Sequence, residues 1–172
     1  MKAVPVCLLV VALFTAACGS SSSSTTSPSP APTVFTAQLL PANEGVQING
    51  GEGTGSGTVT ISFIISRDSS NTIIGASTTF TVNLTGFPGT TVVNIAHIHE
   101  GAAGVAGAIK VNTTLAPGDV TLVNGAGSFT KLNVPVDPAL MQAILNNPAG
   151  YYFNIHTAAN PGGVARGQLV PQ

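Results

Sequence analysis

The stretch YYFNIHT, Tyr151 to Thr157, runs on through AANPGGVARGQL to Leu169. Tyr151, Phe153 and Ile155 alternate with Tyr152, Asn154 and His156, the period-two pattern of a strand with one face in a core. An earlier stretch, AHIHEGAAGVAGAIKV from Ala96 to Val111, opens with the same period, so that His97 and His99 point one way and Ile98 the other. With the aromatic and isoleucine side as the core, Ile98 and Ile155 face inward and all three histidines of the chain face the opposite way.

Outward from these segments the texture stays the same. Val34 to Leu40, Thr58 to Ser66, Thr72 to Leu84, Val92 to His99, Ala108 to Thr113 and Val164 to Val170 read as further strands, the third of them either long or a bulged pair. Val120 to Asn124 and Gly127 to Val134 read as a hairpin about Asn124-Gly125. Turn residues fill Arg67 to Asn71 and Gly86 to Gly89, and Ala42 to Gly57 reads as a Gly-rich loop or exposed ribbon. One helix stands out. Asp137 is an N-cap, Pro138 suits the first helical position, Leu140, Met141, Ile144 and Leu145 form a stripe, and Asn146-Asn147-Pro148 end it. Short strands with regular turn signals predict an all-β fold, an antiparallel β-sandwich or Greek-key barrel, with one short helix near residues 137–146.

Composition narrows the function. Of 172 residues only 6% are charged, against roughly 25% in ordinary soluble domains. The net charge is -1 with no basic cluster, so nucleic-acid binding lacks its electrostatic footprint. There is no GxSxG, CxxC, phosphate-binding loop or paired catalytic carboxylates, and the sequence favours a non-enzymatic role.

The N-terminus reads as an export signal. Lys2 precedes an apolar run from Ala3 to Ala17, too short to span a bilayer comfortably. Thr15-Ala16-Ala17-Cys18-Gly19 resembles the lipobox of bacterial lipoproteins, with Thr15 where leucine is usual. That resemblance implies a signal peptide over 1–17, a lipid on Cys18, a membrane as partner through that lipid, and a place in the cell envelope facing the periplasm or exterior; the alternative is an ordinary secretory signal cut near Ala17. Residues 18–33, rich in Ser, Thr and Pro, read as a tether, and 34–172 as the folded domain. Cys7 leaves with the signal, so the mature domain has no free thiol and no disulfide.

Two readings of the histidines stay open. If their strands are neighbours, three imidazoles converge, and neutral imidazole suits copper, zinc and iron. Alternatively they are polar pegs whose ring nitrogens tie loop backbone. Val93 and Ile95 would share the histidine face of a regular strand, which a bulge or a covering loop would resolve. Glu100 and Arg166 are expected to form a partly buried ion pair clamping the two histidine strands, with Asn154 part of that clamp; a carboxylate-binding role for Arg166 is the alternative. Asn154, Thr157 and Asn160 are also expected to add hydrogen bonds that hold the Asn160-Pro161-Gly162-Gly163 turn.

The two stretches together resemble the CHRD domain family, named for its occurrence in chordin. The matching positions are His97, His99, Gly101, Gly104 and Gly107, then Tyr152, Asn154, His156, Thr157, Pro161, Gly163, Arg166, Gly167 and Gln168. The resemblance implies an extracytoplasmic β-rich domain over roughly Val34 to Val170. More locally, His97-Ile98-His99-Glu100 resembles a histidine segment of copper/zinc superoxide dismutases, which implies His97, His99 and His156 as copper ligands; three histidines are too few for that family's two-metal centre. The expectation is a non-enzymatic binding or envelope-interaction module with an unidentified protein or envelope ligand. Its alternative is a copper, or less favourably zinc, binding or redox protein using His97, His99 and His156.

Overall fold

The computed structural model describes Met1 and residues 33–172; the expected signal segment beyond Met1, Cys18 and the tether up to residue 32 lie outside the described residues. The strands are β1 (Thr33–Leu39), β2 (Ser56–Arg67), β3 (Ile73–Thr85), β4 (Val92–Glu100), β5 (Ile109–Asn112), β6 (Val120–Thr121), β7 (Gly127–Val136), β8 (Tyr151–Thr157), β9 (Ala165–Gln168) and β10 (Val170–Pro171), with α1 (Pro138–Asn146) between β7 and β8. They form two sheets, one ordered β10-β1-β2-β3-β7, the other β5-β4-β8-β9 with β6 also on β4. Every pairing between these strands is antiparallel. The fold is the expected all-β sandwich.

Alternation builds the core. Phe35, Ala37 and Leu39 of β1, Val59, Ile61 and Phe63 of β2, and Phe80, Val82 and Leu84 of β3 face the second sheet's Ala96, Ile98, Phe153 and Ile155, and all are buried. Phe80 and Phe153 meet across the sandwich with ring centroids 5.5 Å apart. Full burial of each large apolar side chain contributes on the order of 1.5–3 kcal/mol. The helix adds Met141 and Ile144 to this core, and its Asp137 cap accepts from the amides of Ala139 and Leu140.

Two expected elements are arranged differently. The strand expected over 164–170 is two strands that change sheets at Leu169: β9 pairs with β8, whereas Val170 and Pro171 pair with Thr36 and Phe35 of β1. Leu169 is buried, and the chain bends around it. The Asn124-Gly125 turn is present with positive φ at both residues and a Val123–Ala126 bridge. Its first arm, however, pairs with β4 rather than β7. Gly125 packs on the backbone of Phe87 and Leu122 enters the core, so the two arms go to different sheets. At one corner the sheets are joined by paired backbone bonds between Leu40 and Arg166, of 3.1 and 3.4 Å.

Candidate metal centre

β4 and β8 are neighbours, with His97 opposite Asn154, His99 opposite Tyr152, and Ile95 opposite His156. Residues opposite one another share a face, so the three histidines stand together on the outer side of the second sheet. Arg166, opposite Asn154, joins them from β9. The register shifts between Val93 and Ile95, which turns Val93 into the core opposite Thr157. That bulge takes Val93 off the histidine face and leaves Ile95, half-buried, on it.

This outer face is buried: His97 is 3%, His99 7% and His156 6% exposed. Three segments cover it. The Gly101–Gly107 loop places the Gly107 carbonyl 3.0 Å from His99 Nδ1 and donates the Gly107 amide to the Tyr152 hydroxyl at 3.2 Å. The Asn160–Gly163 turn places the Pro161 carbonyl 2.9 Å from His156 Nδ1. The 3-10 turn Pro41–Glu44 sits on Arg166, whose Nε donates to Asn43 O at 2.7 Å, Nη2 to Glu44 O at 3.4 Å, and Nη1 to Val105 O at 3.2 Å. One arginine thus ties two covering loops to the sheet. Its guanidinium lies 4.7 Å above the Tyr152 ring, and the other face of that contact series is the His99 ring, stacked on Tyr152 at 4.9 Å and 4°.

The covered rings converge. Centroids are 5.4 Å apart for His97 and His99, 5.2 Å for His97 and His156, and 6.0 Å for His99 and His156. One nitrogen of each ring lies within 4.8 Å of one nitrogen of each of the others. A carbonyl oxygen only accepts, so His99 and His156 carry their hydrogens on Nδ1 and turn the Nε2 lone pair away from those carbonyls. His99 Nε2, His156 Nε2 and His97 Nδ1 are all buried, with no hydrogen-bond partner among the described residues. Burial holds all three rings neutral. It pushes His97 down to about 4, with His156 and then His99 adding to the effect. His99 is also lowered by burial, partly offset by the Gly107 carbonyl and furthered by Arg166. Burial lowers His156 too, against the Pro161 carbonyl and with help from His99.

Neutral imidazole nitrogens gathered this closely are the donor set of a late first-row metal ion. Backbone carbonyls on the opposite ring nitrogens are the usual way such ligands are oriented. Three nitrogens about 2 Å from one ion lie about 3.5 Å apart. His99 and His156 are each held through Nδ1 by a backbone carbonyl, whereas His97 Nδ1 has no hydrogen bond among the described residues.

The expected clamp between Glu100 and Arg166 does not form. Glu100 pairs with Lys110 at 2.7 Å, and the carboxylate beside Arg166 is Glu44, with Oε2 3.7 Å from Nε. The reason is parity: Arg166 shares the face of His97 and His99, and Glu100, one residue past His99, takes the other. Asn154, expected in that clamp, is buried between His97 and Arg166 in register, and its Oδ1 has no partner among the described residues. Thr157 and Asn160 do hold their turn. Thr157 Oγ1 accepts from Asn160 N at 3.1 Å, and Asn160 O accepts from Gly163 N at 3.1 Å. Both side chains donate to Glu52 Oε2, at 2.5 and 2.7 Å. Glu52 therefore fixes the turn that carries the Pro161 carbonyl. Sequence reasoning missed Glu44 and Glu52; the available signal was two acidic residues, out of six in the chain, within one Gly-rich stretch.

Glu44 sets a pH dependence. Burial raises it from 4.5 to about 7, with Arg166 pulling the other way. Between those values the native state binds the extra proton, so this contribution is full below pH 4.5 and is lost as pH rises through 7. His97 has the opposite sign: the unfolded state binds more protons between about 4 and 6.5, so stability falls as pH drops through that window. The two oppose each other between pH 4.5 and 6.5. Glu44→Gln is expected to steepen the loss of stability on acidification from pH 6.5 to 4.5. It is also expected to be more stable than wild type at pH 8, by up to about 3 kcal/mol. Urea unfolding at pH 5, 6.5 and 8 measures this, and parallel wild-type and variant curves would refute it.

A family model described as CHRD domain matches residues 35–169. No curated protein matches the chain, and no solved structure does.

Proposed function

The chain belongs to the CHRD domain family, and on that premise we propose that it is a lipid-anchored, extracytoplasmic metal-binding domain holding one copper ion, or zinc in second place, on His97, His99 and His156. The observation that carries this reading is that one ring nitrogen from each of three buried histidines lies within 4.8 Å of one from each of the others, while each ring also has a buried nitrogen with no hydrogen-bond partner among the described residues. Polar pegs would have used those nitrogens, because leaving a buried polar atom unpaired costs about 1–3 kcal/mol. The role is binding rather than turnover. Arg166 is buried and donates to three backbone carbonyls of the covering loops, so its guanidinium is turned into the fold and not toward an anionic substrate outside.

Titration of the purified protein with Cu(II), followed by electron paramagnetic resonance and metal analysis, is expected to give one ion per chain with nitrogen hyperfine coupling. His97→Ala and His156→Ala are each expected to weaken binding by more than the roughly 10–100-fold typical of a change behind the ligands. No micromolar binding of copper in either oxidation state, or of zinc, would sink the reading. Anchoring rests on the sequence Thr15-Ala16-Ala17-Cys18-Gly19. Radiolabelled palmitate is expected to enter the wild-type protein and not Cys18→Ser; an unlabelled, soluble wild type would refute the anchor.

A further inference from the structure

We propose that the histidine centre selects monovalent copper over divalent copper and zinc, an inference that rests on the metal reading above. Charge is the first argument. Among the described residues the ligand group contains three histidines and neither a carboxylate nor a thiolate. All three donors are neutral, so an ion brought here keeps its full charge in a buried site. The cost of burying an ion rises with the square of its charge, about fourfold from monovalent to divalent in a Born description. The centre also has a cation beside it. Arg166 lies on the same face, buried, and is linked to His99 through the Tyr152 ring. Its repulsion doubles for a divalent ion. Glu44, the carboxylate that could compensate, is turned to Arg166 and holds its proton up to about 7.

Coordination number is the second argument. Structural zinc takes four ligands, and divalent copper prefers a tetragonal arrangement. The described side chains supply three nitrogens, and the loops that cover them shield the face from water. Asn154 Oδ1, the unpartnered oxygen on the same strand face, is neutral and does nothing for the charge deficit. A three-nitrogen, uncharged, covered site fits a low-coordinate monovalent ion.

The test uses the full-length protein. Cu(I) is titrated anaerobically with ascorbate against the chromophoric chelator bicinchoninate, and Cu(II) and Zn(II) are titrated against chelators of known affinity. The expected result is one Cu(I) per chain, bound at least about 100-fold more tightly than either divalent ion. Relative to divalent copper, that preference raises the potential of the bound couple about 120 mV above that of the free ion, at 59 mV per tenfold. Divalent ions bound equally well or better on the same three histidines would overturn the selection and leave the metal reading standing. No metal bound in any state would overturn both. Asn154→Asp adds a carboxylate opposite His97, and is expected to narrow the Cu(I) to Zn(II) ratio at least tenfold. An unchanged ratio would overturn the charge argument.

Discussion

Replacing Arg166 with leucine is expected to cost about 3–5 kcal/mol of folding stability, the range for removing one member of a buried ionic network. The guanidinium is 4% exposed and donates to the carbonyls of Asn43, Glu44 and Val105. Leucine leaves those three acceptors without their charged donor and leaves Glu44 without its counter-charge. Glu44 softens the loss by holding its proton, which sets the result toward the lower end of the range. The effect is local first, because the freed carbonyls belong to the two loops over the histidines. Hydrogen exchange is expected to speed up over residues 41–45 and 101–108 before it does in β2 and β3. Arg166→Lys keeps the charge but cannot supply the planar fork, and is expected to recover only part of the stability. Urea unfolding measures the total. A loss below about 1 kcal/mol for the leucine variant would show that something else holds the loops down.

Gly107→Ala is expected to be nearly as damaging, by a different mechanism. A β-carbon at this position would lie 1.4 Å from the Glu100 carbonyl oxygen and 2.6 Å from its carbon. Both are backbone atoms at the end of β4, so no side chain can swing away, and the loop has to move. Overpacking of this kind costs typically 1–3 kcal/mol and more where backbone is the obstacle; about 3 kcal/mol is expected. Gly107 also accepts from His99 Nδ1 and donates to Tyr152. Moving it releases the bond that aims His99, and metal affinity is expected to fall by roughly 10–100-fold. Gly104→Ala in the same loop is the comparison. It has a positive φ of 78° but open space around its β-carbon, so only the backbone strain of about 1–2 kcal/mol applies. Equal losses at 104 and 107, with unchanged metal affinity at 107, would contradict this account.

Much of the fold was legible in the sequence because side-chain alternation is a local signal. Tyr151 to Thr157 is a strand over the expected bounds, and Asp137 caps the helix. Ile98, Phe153 and Ile155 are fully buried on the face opposite the histidines. Where the reading departed from the structure, the deciding contacts were distant. Val170 leaves the sheet of β9 because β1 offers an edge there. The arm before Asn124 goes to β4 because Leu122 enters the core.

By itself, the sequence determined that two strands each present histidines on one face, because a strand's period of two depends only on neighbouring residues. It also determined that the charge available to that face would be scarce. Only the tertiary structure decided that the two strands are adjacent, that three loops bury the rings, and which carboxylate meets Arg166. Glu44 lies 122 residues from Arg166 along the chain, on a 3-10 turn folded over the sheet. No local pattern encodes that meeting, because it depends on how the β1–β2 connection closes over β9 once the sandwich has formed.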